Sequence, residues 1–168
     1  MKLDLFSRRF LLRSLLFIMI IVVNIGCDQQ TKQMAKASFE DRNVEYSYFN
    51  DVFKLTYAEN YGAFLSLGDD LPQMAHFLLL KLMPLLLLIG MFCYVLFSQT
   101  LSMAQAIAMS FIVGGGLSNV MDRIYNEGGG VVDFMKLGIG DLQTGIFNFA
   151  DVSVMIGIFA LLFLNFRR

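Results

Sequence analysis

Four long apolar segments separate the polar parts of this chain. They lie at about residues 10–27, 75–97, 101–121 and 146–166, and each carries few charged side chains. An α-helix needs about 20 mostly apolar residues to cross the hydrocarbon core of a bilayer. The pattern therefore predicts four membrane-spanning helices, and Pro84 predicts a kink in the second of them.

The longest polar segment, residues 33–74, lies between the first two predicted spans. Within it, residues 44–67 mix aromatic and β-branched side chains with turn-forming ones, a pattern that predicts two or three short strands. The expected fold is an all-α membrane protein: a four-transmembrane-helix bundle with a small extracytoplasmic β-rich loop subdomain. Residues 1–168 then form a single integral membrane domain.

The positions of the positive charges predict how the chain is oriented. Basic residues lie at both ends of the chain: Lys2, Arg8, Arg9, Arg13, Arg167 and Arg168. Cytoplasmic segments next to membrane spans are enriched in lysine and arginine. With four spans, both termini are therefore predicted to be cytoplasmic. The 33–74 segment and the 122–145 link then face outward.

Composition supports a membrane protein and makes other classes implausible. Of the residues, 57% are hydrophobic and 16% are charged, against about 25% charged in an average soluble domain. The net charge of −1 gives no basic field for nucleic acid. The single histidine, His76, cannot build a zinc site alone, and Cys27 and Cys93 both lie in apolar runs. We therefore expect no metal and no cofactor.

Two aspartates in apolar surroundings are the strongest candidates for chemistry. Asp133 lies in "GGGVVDFM" and Asp151 in "IFNFADVSV". If the two carboxyl groups meet, desolvation and mutual repulsion make them share a proton near neutral pH. One can then activate water while the other polarises a carbonyl group, which is aspartic-protease chemistry. Spacing alone favours a plainer alternative, in which both aspartates only cap helices or bond between them.

Two other function classes fit a small four-span protein: a proton-coupled transporter and a structural membrane subunit. A transporter would use Asp133 and Asp151 as proton carriers. Carriers place such carboxylates near the midplane of the bilayer. In this sequence the polar residues instead cluster near the predicted outer ends of the spans, which favours an enzyme acting at the outer face.

Five short motifs occur in order along the four predicted spans. They are "DQQTK", "NYGAFLS", "GGGLSNVMDR", "VVDF" and "FNFAD". This set resembles the lipoprotein signal peptidase family, the type II signal peptidases of bacteria, over essentially the whole chain. The resemblance implies an aspartic endopeptidase of the bacterial cytoplasmic (inner) membrane, with its active site near the outer face. Such an enzyme cuts diacylglyceryl-modified prolipoproteins just before the lipidated cysteine, contacts membrane lipid, binds globomycin-type inhibitors and needs no cofactor.

The resemblance also implies roles for particular residues. Asp133 and Asp151 match the catalytic pair of the family. The motif residues expected to bind substrate or support the site are Asp28, Lys32, Asn60, Gly62, Gly115, Asn119, Asp122, Arg123, Asn148 and Ala150. The third motif departs from the family pattern "GGALGN" at Gly116 and Ser118. Because serine is only slightly larger than glycine, we expect close helix packing to survive there.

Overall fold

The structure is a computed structural model that describes residues 8–40, 45–63, 66–98 and 100–166. In this part of the chain, four helices are long and apolar enough to cross a membrane: α1 (Arg8–Phe39), α2 (Gln73–Phe97), α3 (Met103–Tyr125) and α4 (Phe149–Phe166). The predicted fold class is therefore confirmed. The charges of Lys2, Arg167 and Arg168, used above to predict orientation, lie outside the described residues.

The first helix continues well past the end of its apolar segment. Its 32 residues extend to Phe39, whereas hydropathy alone ends the span at about residue 27. At about 1.5 Å per residue it measures about 48 Å, more than the roughly 30 Å thickness of the hydrocarbon core. The prediction that residues 33–39 belong to a loop is therefore wrong. The extension matters because it keeps Asp28 and Lys32 on one face of a rigid helix.

A small antiparallel sheet covers one end of the helix bundle. In the described residues its strands lie in the order β1 (Tyr46–Tyr48), β2 (Phe53–Asn60), β3 (Val131–Ile139) and β4 (Leu142–Gln143). Half of the sheet comes from the 122–145 link between α3 and α4, which was interpreted above as a connection without strands. That interpretation is wrong because β-branched and aromatic side chains in "VVDFMKLGI" favour a strand once β2 is available as a partner.

The centre of the bundle is α3, which contacts the other three spanning helices. Three consecutive glycines face three different neighbours. A Cβ atom added to Gly114 would lie 2.9 Å from a side chain of α1, and one added to Gly116 would lie 2.7 Å from a leucine of α2. A Cβ atom added to Gly115 would lie 2.4 Å from the Ala150 carbonyl oxygen in α4. Small residues therefore let these helices approach closely.

Gly115→Ala is expected to destabilise the protein and reduce its activity, because the new methyl group meets the backbone of α4 rather than a movable side chain. Overpacking of this kind costs about 1–3 kcal/mol. Thermal unfolding in detergent measures the loss. Gly90→Ala is the matched control, because no described atom lies within 4 Å of its added Cβ. Equal unfolding temperatures for the two variants would contradict this assignment of the α3–α4 contact.

Candidate active site

Asp151 lies in the first turn of α4, where a capping motif holds its carboxylate. Asn148 precedes the helix, and its side-chain oxygen accepts the Asp151 N–H at 3.0 Å. In return, the Asp151 carboxylate accepts the Asn148 N–H at 3.0 Å. This reciprocal arrangement satisfies two N–H groups that a helix start otherwise leaves unpaired. The "FNFAD" motif therefore has a local structural reason as well as any chemical one.

Asp133 reaches the same place through the sheet. It lies opposite Ala58 of β2, while Met135, two residues further along β3, forms an antiparallel bridge with Phe147. The bridge includes a hydrogen bond of 2.8 Å from the Phe147 N–H to the Met135 carbonyl oxygen. It brings the next residue, Asn148, beside Asp133, and the Asn148 Nδ2 donates to Asp133 Oδ1 at 2.6 Å. One asparagine therefore contacts both candidate aspartates.

Burial strongly affects the protonation of Asp133, whose exposed fraction is only 3%. Loss of solvent raises its pKa to about 7, and the nearby Asp151 carboxylate contributes to this rise. Hydrogen bonds from Asn60 and Asn148 act in the opposite direction, as does the positive charge of Lys32. Asp133 can therefore gain or lose a proton close to neutral pH.

A buried lysine organises the polar side chains around Asp151. The ammonium group of Lys32 lies 2.6 Å from Asp28 Oδ2, 2.7 Å from Asp122 Oδ2 and 2.8 Å from Asn119 Oδ1. A lysine has three N–H donors and no acceptor, so these contacts use its whole capacity. They also orient the Asn119 amide, whose Nδ2 donates to Asp151 Oδ1 at 2.9 Å.

Asp28 ties α1 to the start of α4. Its Oδ1 accepts the backbone N–H of Ala150 at 2.8 Å, although the two residues are 122 positions apart. Ala150 is in the first turn of α4, where backbone N–H groups lack partners within the helix and favour negative charge. Asp28 therefore positions the turn that carries Asp151, and Ala150 contributes through its backbone.

Two residues that contact the site, Ser118 and Gln29, were not predicted from the sequence to do so. Ser118 donates to Asp28 Oδ2 at 2.7 Å, and Gln29 donates to Asp122 Oδ1 at 2.7 Å and to the Ser118 hydroxyl at 3.0 Å. Gln29 lies inside the "DQQTK" motif, which was a usable signal. Ser118 was interpreted only as a small packing residue, because nothing local in the sequence reveals that a carboxylate 90 positions away faces it.

The last residue of β2 and the residues after it also contact the site. Asn60 Nδ2 donates to Asp133 Oδ2 at 3.2 Å, and its Oδ1 accepts the Gly62 N–H at 3.1 Å. Arg123 Nη2 donates to the Gly62 carbonyl oxygen at 2.8 Å. Gly62 has no room for a side chain, since a Cβ atom there would lie 2.4 Å from the Ser66 backbone.

The predicted site residues thus form one connected set of contacts, with Gly115 packed beneath Ala150. A cavity of about 240 Å³ adjoins these site residues and is lined by Ala58, Glu59, Asn60, Ser66, Asp133 and Ile146. A bound molecule there would contact Asp133 directly. Within the described residues, no group of three or more His, Cys, Asp or Glu side chains could hold a metal ion.

Comparison with known proteins identifies the family. A family model described as signal peptidase (SPase) II matches residues 20–167. The lipoprotein signal peptidase of Borrelia hermsii (strain HS1 / DAH) is 35% identical over 157 residues, covering 90% of this chain and 88% of that protein. The lipoprotein signal peptidase of Acaryochloris marina (strain MBIC 11017) is 30% identical over 160 residues, covering 92% and 91%.

Solved structures agree in fold. One bacterial membrane enzyme, determined by the in meso method at 2.3 Å resolution, superposes with a TM-score of 0.75 at 24% identity, covering 90% of this chain and 87% of its own. A second, at 1.9 Å resolution, has a TM-score of 0.72 at 26% identity and covers 88% and 90%. The chain therefore belongs to the signal peptidase II family and is a multi-pass membrane peptidase.

Proposed function

We propose that this chain is an aspartic endopeptidase that cuts diacylglyceryl-modified prolipoproteins just before the lipidated cysteine, with Asp133 and Asp151 as its catalytic residues. The observation that carries the proposal is that Asn148 contacts both aspartates in one buried polar cluster beside a cavity. Two ordinary capping aspartates would not require this link between a strand and a helix start. The position of Asp133 in β3, outside the spanning helices, also argues against a proton carrier.

The proposed mechanism uses one water molecule and no covalent enzyme intermediate. One carboxylate takes a proton from the water as its oxygen attacks the scissile carbonyl carbon, and the other carboxyl group, protonated, donates a hydrogen bond to the carbonyl oxygen. The tetrahedral intermediate collapses when a proton passes to the leaving amine. The raised pKa of Asp133 supports this scheme, because one proton remains on the pair near neutral pH.

The membrane setting suggests how substrate reaches the site. The signal helix lies between the spanning helices, its diacylglyceryl chains stay in lipid, and the scissile peptide extends along the cavity beside β2. We propose the bacterial cytoplasmic membrane as the location, with both termini cytoplasmic and the site near the outer face. Globomycin-type inhibitors would occupy the same cavity. Asn60 and Asn148 are suited to orient the scissile segment through the contacts they make with Asp133.

A cleavage assay in lipid tests this function. The purified protein is given a diacylglyceryl-modified prolipoprotein, the same precursor without the modification, and a precursor whose cysteine is replaced by serine. Mass spectrometry is expected to find one product that begins at the lipidated cysteine, from the first precursor only. Cleavage at another bond, or equal cleavage of all three precursors, would refute the proposed specificity.

The rate of cleavage is expected to fall as pH rises through about 7. Asp133, with its pKa raised to about 7, carries a proton below that pH and loses it above. The Asn60 hydrogen bond lowers this pKa, so Asn60→Ala should raise it and move the falling limb to higher pH. The measurement is kcat/KM against pH, with the exposed Asn165→Ala as control. If the pH at which kcat/KM falls is unchanged or lower in Asn60→Ala, the fall is not caused by deprotonation of Asp133.

A further inference from the structure

His76, near the start of α2, contacts the segment that supports Asp133. Its Nε2 lies 2.6 Å from the carbonyl oxygen of Tyr61, the residue after Asn60. We propose that His76 is a positioning residue, which holds residues 60–63, here named the site loop, so that the Asn60 amide reaches Asp133. The inference rests on the proposed function, and it assigns a role to a residue that belongs to none of the five motifs.

Two neighbouring carbonyl groups of the site loop are held from two different helices. His76 of α2 binds the Tyr61 carbonyl oxygen, and Arg123 of α3 binds that of Gly62. Between them, the Gly62 N–H donates back to the Asn60 side chain. With both carbonyls held, the loop backbone cannot rotate without breaking a contact. The direction of the Asn60 amide toward Asp133 is fixed as a result.

The opposite side of the site loop leaves little freedom either. The Ala63 N–H donates to the Leu67 carbonyl oxygen at 2.8 Å, and the Ser66 N–H donates to the Ala63 carbonyl oxygen at 3.1 Å. The backbone there turns so tightly against Gly62 that no side chain fits. Loss of the His76 contact would therefore free the Tyr61 carbonyl while Gly62 and Ala63 stay held on one side of it. Movement of the backbone at Tyr61 would then displace Asn60, on its other side.

The direction of the His76 side chain depends on an irregular turn in α2. Residues Phe77–Leu82 are π-helical and end two positions before Pro84, which has no N–H for the carbonyl four positions earlier. A π turn holds one residue more than an α turn, so the preceding residues are rotated by about 100° relative to an unbroken α-helix. The body of α2 is held in the bundle by the buried Leu88 and Val95. The wide turn therefore points His76 at the site loop.

The geometry of the contact predicts which substitutions of His76 keep the hydrogen bond and which lose it. The Tyr61 carbonyl can only accept, so His76 Nε2 must donate. The amide nitrogen of glutamine falls near the place of Nε2 in histidine, whereas that of asparagine falls near Nδ1. His76→Gln should therefore preserve the contact, and His76→Asn, which has the same chemical group, should not reach it.

The test compares kcat/KM for these variants in lipid on the modified prolipoprotein. His76→Ala and His76→Asn are expected to lose about tenfold, the effect of one lost hydrogen bond at a site that needs it, while His76→Gln stays close to the parent. Met74→Ala, on the same turn with its side chain 70% exposed, is the control and should change nothing. Parent-like activity in His76→Ala, or an equal loss in His76→Gln, would overturn the inference.

A double-mutant cycle separates positioning from general structural support. If His76 acts through Asn60, then His76→Ala causes no further loss when Asn60 is already alanine. A full tenfold loss in that background would overturn the inference. Asp133→Asn is run in the same assay. If it cleaves normally, the proposed function fails; if it is inactive while His76→Ala matches the parent, only the role of His76 fails.

Discussion

Asp133→Asn is expected to leave the modified prolipoprotein uncut, and Asp151→Asn is expected to do the same. An amide has nearly the shape of the carboxyl group, but it can neither take a proton from water nor carry one to the carbonyl oxygen. Loss of a general acid or base costs about 10²- to 10⁴-fold in rate. Because both groups act on one water molecule in the proposed mechanism, the double variant should be little worse than either single one.

The measurement is the mass of the lipoprotein after coexpression with each variant, together with the unfolding temperature of the purified protein. The unfolding temperature is needed to distinguish lost catalysis from lost folding, because each carboxylate accepts two hydrogen bonds that an amide cannot fully reproduce. Asp141→Asn, an exposed aspartate in the turn between β3 and β4, is the matched control and should cleave normally. Normal cleavage by either Asp133→Asn or Asp151→Asn would show that the pair is not catalytic.

Lys32→Met is expected to remove both stability and activity. The Lys32 ammonium group lies between the carboxylates of Asp28 and Asp122, and all three side chains are at least 95% buried. Without it, two like charges face each other in a site that excludes water. Removing one partner of a buried ion pair typically costs about 3–5 kcal/mol. The Asn119 amide also loses the contact that directs its Nδ2 to Asp151.

Thermal unfolding in detergent measures this effect. Lys36→Met, one turn further along α1 and half exposed, is the matched control and should lose little, since exposed ion pairs contribute about 0–1 kcal/mol. Adding Asp122→Asn to Lys32→Met should restore part of the stability by removing one unpaired charge, without restoring cleavage. An unfolding temperature for Lys32→Met equal to that of Lys36→Met would mean that the buried network contributes no stability.

The spanning helices were predictable because their signal is local. Each is a run of apolar residues, and burial in lipid depends on the run itself. The extension of α1 to Phe39 was missed, although "QQTKQMAKASF" contains no glycine or proline to end the helix. Hydropathy indicates which residues of a helix lie in the lipid, whereas the helix itself continues as long as its backbone hydrogen bonds do. The existence of strands after residue 44 was predicted from residue types alone.

The contacts of the site depend on the folded chain. Asn60 and Asp133 are 73 positions apart, and Asp28 and Ala150 are 122 apart. No local pattern states that β3 pairs with β2, or that His76 faces the Tyr61 carbonyl. By itself the sequence determined four helices and the order of the polar motifs, because apolar length and residue type act over short distances. Tertiary packing alone decided which carboxylates share donors, since close packing around the glycines of α3 and strand register set those distances.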